Sequence, residues 1–143
     1  MKSEGALKHF VWAFVFALLG YVAFYAFIEH RRTRQGPWAV VFTRTNALPE
    51  LIVNQAKLGI INVQIVFAGA AAVTNDGGAW SFGQARPVPF EVPFGKCVFL
   101  DTTFLPGTVT LQLCGHELEL LPRVLILDHE EHAWHSGELV QVP

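Results

Sequence analysis

Residues 10–28 form an unbroken run of 19 residues without a charge, and no other feature narrows the fold of this chain as far. The run holds only Phe, Val, Leu, Ala, Tyr, Trp, Gly and Ile. As a helix rising about 1.5 Å per residue it measures roughly 28 Å, against a hydrocarbon layer of about 30 Å. Lys2 and Lys8 precede it, and Arg31, Arg32 and Arg34 follow it. Trp12 and Tyr25 stand towards its ends, where amphipathic rings favour the membrane interface. A transmembrane helix is therefore expected over residues 10–28.

Two competing readings fit less well. A buried core helix fits poorly because all faces of the run are apolar and the domain that follows looks β-rich, with no other helix to bury it. A cleaved signal peptide has an apolar region of about 7–15 residues followed by a small-x-small site. Here the run is longer, and the small residues Ala23 and Ala26 have the wrong spacing. No cysteine follows directly, as a lipoprotein would require. The expected organisation is a tail over 1–9, the membrane helix over 10–28, a linker over 29–37 ended by Gly36-Pro37, and an extramembrane β domain over 38–143. The positive-inside rule counts two lysines and the amino terminus before the helix against three arginines after it, which is close to balance. The β character of the domain favours an extracytoplasmic side, periplasmic in a bacterium.

Charge separates the two parts. Only 15% of the chain is charged, against about 25% in average soluble proteins. From Gln35 onward there are five Lys and Arg against ten Asp and Glu, a net charge of −5. Such a domain repels phosphate backbones, so nucleic acid is not an expected partner. It would be repelled by an anionic bilayer too, whereas Arg31, Arg32 and Arg34 would be drawn to one.

Beyond the linker the pattern is that of strands. Residues 38–43, 51–54, 80–82, 96–101 and 124–127 are short runs rich in β-formers, with a terminal strand over 139–142. Residues 60–67 alternate, which predicts Ile61, Val63, Ile65 and Phe67 on one face. Residues 108–114 alternate again, Gly115 breaks them, and Leu118 and Leu120 resume as in a tight hairpin. Pro87, Pro89 and Pro93 lack the amide proton that a central strand needs, so 87–93 reads as an extended edge. Residues 74–78 and 128–131 read as turns. The expected class is all-β, a small antiparallel sandwich of about seven or eight short strands behind one transmembrane helix.

Candidate sites are few. Four of the six histidines lie between 116 and 135. His129, His132 and His135, with Glu130 and Glu131 among them, supply donors that suit zinc, copper or nickel. Their spacing of three is not the H-E-x-x-H arrangement, in which the histidines are four apart. A solvated turn accounts for the same residues. Glu117 and Glu119 alternate with Leu118 and Leu120, as on the wet face of a strand, which leaves little reason to make them an acid–base pair. Ser136 follows His135 directly, and neighbours on a strand point to opposite faces. Cys97 and Cys114 fall in predicted strands and form no C-x-x-C pair; buried free thiols and a single bridge are both open. No phosphate-binding glycine motif occurs, and Gly77-Gly78 is a turn. Ala13, Ala17 and Gly20 give the apolar helix a small-residue face suited to close helix approach.

The expected function is non-enzymatic. The chain reads as a membrane-tethered binding or scaffold module, or an accessory subunit of a membrane assembly. The lipid bilayer and a protein are its expected partners, and no cofactor is expected. The edge at Pro87–Pro93 and the strand rims are the expected docking faces. The alternative is a metal-binding domain using His129, His132 and His135.

Overall fold

The computed structural model describes residues 2–143, which divide between Arg34 and Gln35 into two units. The first is one helix, α1 (Lys2–Thr33). Its apolar stretch has a mean hydropathy of 2.2, and none of it is buried. By length and composition it can cross a membrane. The helix extends beyond the uncharged run on both sides, so residues 2–9 and 29–33, expected as tail and linker, are helical. Residues of good helix propensity explain this: Ala6, Leu7 and Lys8 before the run, Glu29, Arg31 and Arg32 after it. Arg32 pairs with Glu29 at 3.2 Å, and the Thr33 hydroxyl donates to the Glu29 carbonyl at 2.9 Å. Glu4 in the first turn and His30, Arg31 and Arg32 in the last complement the helix dipole.

The second unit is a sandwich of two sheets. Strands β1 (Ala39–Thr45), β2 (Leu48–Gln55), β3 (Ile60–Phe67), β4 (Gly78–Ser81) and β11 (Leu139–Val142) form one, in the order β11-β3-β2-β1-β4. Strands β5 (Phe90–Val92), β6 (Gly95–Asp101), β7 (Thr108–Leu113), β8 (His116–Leu120), β9 (Val124–Leu127) and β10 (Glu130–Ala133) form the other, in the order β10-β9-β8-β7-β6-β5. Every pairing is antiparallel except β11 on β3. The sandwich class agrees with the sequence; the eleven strands exceed the seven or eight expected. One addition is β5, the proline-flanked stretch, which does lie at a sheet edge. Another is β10, because the turn expected over 128–131 closes within Asp128 and His129.

Three hairpins turn in two residues with both φ angles positive, at Asn46-Ala47, Cys114-Gly115 and Asp128-His129. This is the turn whose twist matches that of the strands it joins. Pro49 enters a central strand without cost to the ladder. Its backbone nitrogen points away from β1, on the side where pairing with β3 starts only at Glu50.

The core follows the alternation. Val40 and Phe42, Leu51 and Val53, Val63, Ile65 and Phe67 from one sheet meet Val109, Leu111, Leu113, Leu118, Leu120 and Leu125 from the other, all nearly or fully buried. Each such side chain contributes roughly 1.5–3 kcal/mol through burial. Trp38 closes one end, fully buried, with its indole N–H donating to the Gly107 carbonyl at 3.0 Å. Ile61 is the exception to the expected face: it is 50% exposed, and Ile60 points inward instead. The register slips opposite Val53 and Gln55, and Asn62 takes a φ of 52°, held by its N–H donating to the Asn54 side chain at 2.8 Å. One extra residue reverses the side on which its neighbours fall.

Strand directions give the sandwich two ends. At the entry end, where the chain arrives through Gly36 and Pro37, lie the short 3-10 turn Ala56–Leu58 and the loops 82–89, 102–107, 121–123 and 134–138. The far end carries those three hairpin turns, the two-residue turn Pro93-Phe94 between β5 and β6, and the loop 68–77.

Candidate functional site

A concavity of the sandwich lies at the entry end. Strand β4 ends one sheet and β5 ends the other, so both keep an unpaired edge, and loop 82–89 joins them. Between them opens a groove of about 680 Å³, lined by Trp80, Phe82, Arg86, Phe90, Leu100 and Leu105 among others. Trp80 stacks on Phe82 with ring centres 6.4 Å apart. The Arg86 guanidinium stands over the Phe90 ring at 4.3 Å, a cation–π contact. Arg86 is the one charge of the lining and Ser81 its one hydroxyl, among the described residues. Apolar walls with one fixed cation suit binding of an apolar or anionic group. They offer no base to activate Ser81.

A second cluster sits at the far end. His116 opens β8 and Asp128 begins the β9–β10 turn, and the pairing of β8 with β9 brings them together. His116 Nδ1 lies 2.6 Å from Asp128 Oδ2, and the Glu117 N–H donates to Asp128 Oδ1 at 2.9 Å. Those contacts, the Glu117 amide first and the His116 ring second, hold the Asp128 carboxyl below its usual range. The His116 ring stacks on Phe67 of the opposite sheet, with centres 5.9 Å apart. In the sequence His116 and Asp128 belonged to two separate groups, histidines and acids. Only the β8–β9 register, which neither residue announces, unites them.

Cys114 lies two residues before His116, but burial pushes its thiol up, the direction opposite to an activated nucleophile. Cys97 is buried and its thiol is raised by the same cause. Both thiols are free. Cys97 is opposite Leu111, and Cys114 lies three residues further along, roughly 10 Å of strand and beyond bridging reach.

The three histidines considered for a metal are not gathered. His129 is in the turn at a φ of 70°, His132 is on β10 opposite Leu125, and His135 lies past the strand. A spacing of three aligns side chains on a helix, but on a strand it alternates faces and separates Cα atoms by roughly 10 Å. Among the described residues, no three His, Cys, Asp or Glu side chains are grouped to hold a metal ion. Glu117 and Glu119 face outward from β8 between the buried Leu118 and Leu120. Ser136 is tied elsewhere: its hydroxyl donates to the Gly59 carbonyl at 2.6 Å and accepts from the Ile61 N–H at 3.1 Å.

Comparison with protein-family models, with curated proteins and with solved structures finds no match.

Proposed function

We propose that this chain is a single-pass, membrane-tethered binding or scaffold module, an accessory subunit of a membrane assembly, with its sandwich on the extracytoplasmic side. One observation carries the reading. An apolar helix of membrane-spanning length has no buried face, while the sandwich after it encloses a core of its own. A helix apolar on every side is stable in lipid and not in water. The sandwich leaves unpaired edges at β4 and β5 with an aromatic groove between them, a form that suits recognition of a protein segment by strand edge and side-chain pocket.

Three experiments test it. Purification of the full chain in mild detergent, followed by mass spectrometry, should return a partner in fixed stoichiometry, lost when Trp80 and Phe90 are changed to Ala together. Small-molecule turnover by the purified chain, abolished by a single surface substitution, would contradict a non-enzymatic module. Protease added to intact spheroplasts should remove the sandwich and leave a membrane-protected helix. Full protection of the sandwich would put it on the cytoplasmic side.

A further inference from the structure

The net charge of −5 read from the sequence beyond Arg34 conceals a polarity. At the entry end Lys57, Arg86 and Arg123, all exposed, stand in three separate loops against Asp101 and Glu138. Elsewhere on the sandwich Arg44 and Lys96 face the other eight acids. The entry-end loops therefore carry three cations against two acids, while the strands and the far end are strongly negative, with Glu119 and Glu131 level with Phe99. Apolar exposure follows the same axis. Among the described residues, five large hydrophobics of the sandwich are exposed: Ile61, Val88, Phe99, Phe104 and Leu139. Phe104 is at a loop tip of the entry end, Val88 is in loop 82–89 two residues before β5, Ile61 and Phe99 are in the half nearest that end, and Leu139 is at mid-height. None is at the far end.

Apolar side chains projecting from loops that also carry cations match one partner, the headgroup layer of an anionic bilayer. Covalent order favours the same occupant. Arg34 is followed directly by Gln35, and the run Arg31, Arg32, Arg34 is itself basic. With residues 10–28 in the bilayer, residues 29–37 alone join the run to Trp38 at the entry end of the sandwich.

We infer that the entry end is a lipid-docking surface: Val88 and Phe104 insert among headgroups, and Lys57, Arg86 and Arg123 pair with lipid phosphates. Docking holds the sandwich in one orientation, with its acidic far end turned to water. The inference rests on the membrane anchoring proposed above.

The test uses the full chain in vesicles of phosphatidylcholine, with or without roughly 30% phosphatidylserine. An environment-sensitive fluorophore is placed at Phe104→Cys, at Val88→Cys or, as a far-end control, at Thr74→Cys, each in a Cys114→Ser background that leaves the buried Cys97 in place. In anionic vesicles the labels at positions 104 and 88 should shift to the blue and lose emission to spin-labelled lipid. The label at 74 should do neither. High salt, or Lys57→Glu, Arg86→Glu and Arg123→Glu together, should reverse the effect while circular dichroism stays unchanged. Flotation of the same samples reads the anchor independently. A chain that floats with equal quenching at all three positions, or at none, overturns lipid docking and leaves anchoring standing. A chain that does not float overturns both. Shielding of position 104 that rises with protein density and ignores lipid charge would assign the surface to a second copy of the chain and overturn the inference.

Discussion

Asp128 shows how one side chain ties two strands. Its carboxylate accepts from the Glu117 amide and from the His116 ring, and both contacts hold it ionised below its ordinary range. A carboxyl depressed in the folded state adds stability that is present above the unfolded value of about 3.9 and is lost as pH falls through the folded one. The side chain is about half exposed, so after solvent screening the contribution is below about 1 kcal/mol. Asp128→Asn should lower the Tm at pH 7 by a few degrees, and the gap from the parent chain should close on acid titration below about pH 4. Thermal unfolding followed by near-ultraviolet circular dichroism reads both. A gap that widened in acid would contradict the assignment. Neither residue announces this contact in the sequence, because adjacency across β8 and β9 is a matter of register. The exposure of Ile61 was hidden for a similar reason: a one-residue bulge at Asn62 leaves no compositional trace, yet it reverses the local alternation.

At the scale of elements, the turns decide how much was legible. Cys114-Gly115 could be read as a hairpin because glycine marks a positive φ. Asn46-Ala47 and Asp128-His129 adopt the same turn without glycine, so β1 and β2 read as separate runs and β10 as part of a loop. Two substitutions test these geometries in opposite directions. Ala47 holds a φ of 66°, which costs a residue with a Cβ roughly 1–2 kcal/mol, partly offset by the extra unfolded-state freedom of glycine. Ala47→Gly should therefore stabilise the sandwich by about 0.5–1 kcal/mol, seen as a higher denaturation midpoint at constant m. Gly107 has a φ of 68°, and a Cβ there would overlap the Asp101 carbonyl oxygen. Because backbone must move, Gly107→Ala should destabilise by about 2–4 kcal/mol. Equal and small effects at both positions would mean that the hairpin and the β6–β7 loop are not shaped as described.

For the whole molecule, composition and hydropathy carried the reading furthest. The run over 10–28 marked the apolar helix, and alternation marked most inward-facing residues of the sandwich, because burial on one face forces a period of two. The asymmetry between the two ends was illegible, since Lys57, Arg86 and Arg123 lie far apart in sequence and meet at one end only through the strand order. A net charge averages over such a pattern, which is why the acidic total suggested repulsion from anionic lipid where the entry end suggests attraction. What unites the account is the proposal that α1, apolar and long enough to span a bilayer, resides in lipid. Alkaline carbonate extraction of membranes from cells expressing the full-length chain, with residues 10–28 verified intact by mass spectrometry, reads this most directly. The chain should stay in the membrane pellet and be released only by detergent; recovery in the carbonate supernatant would contradict the account.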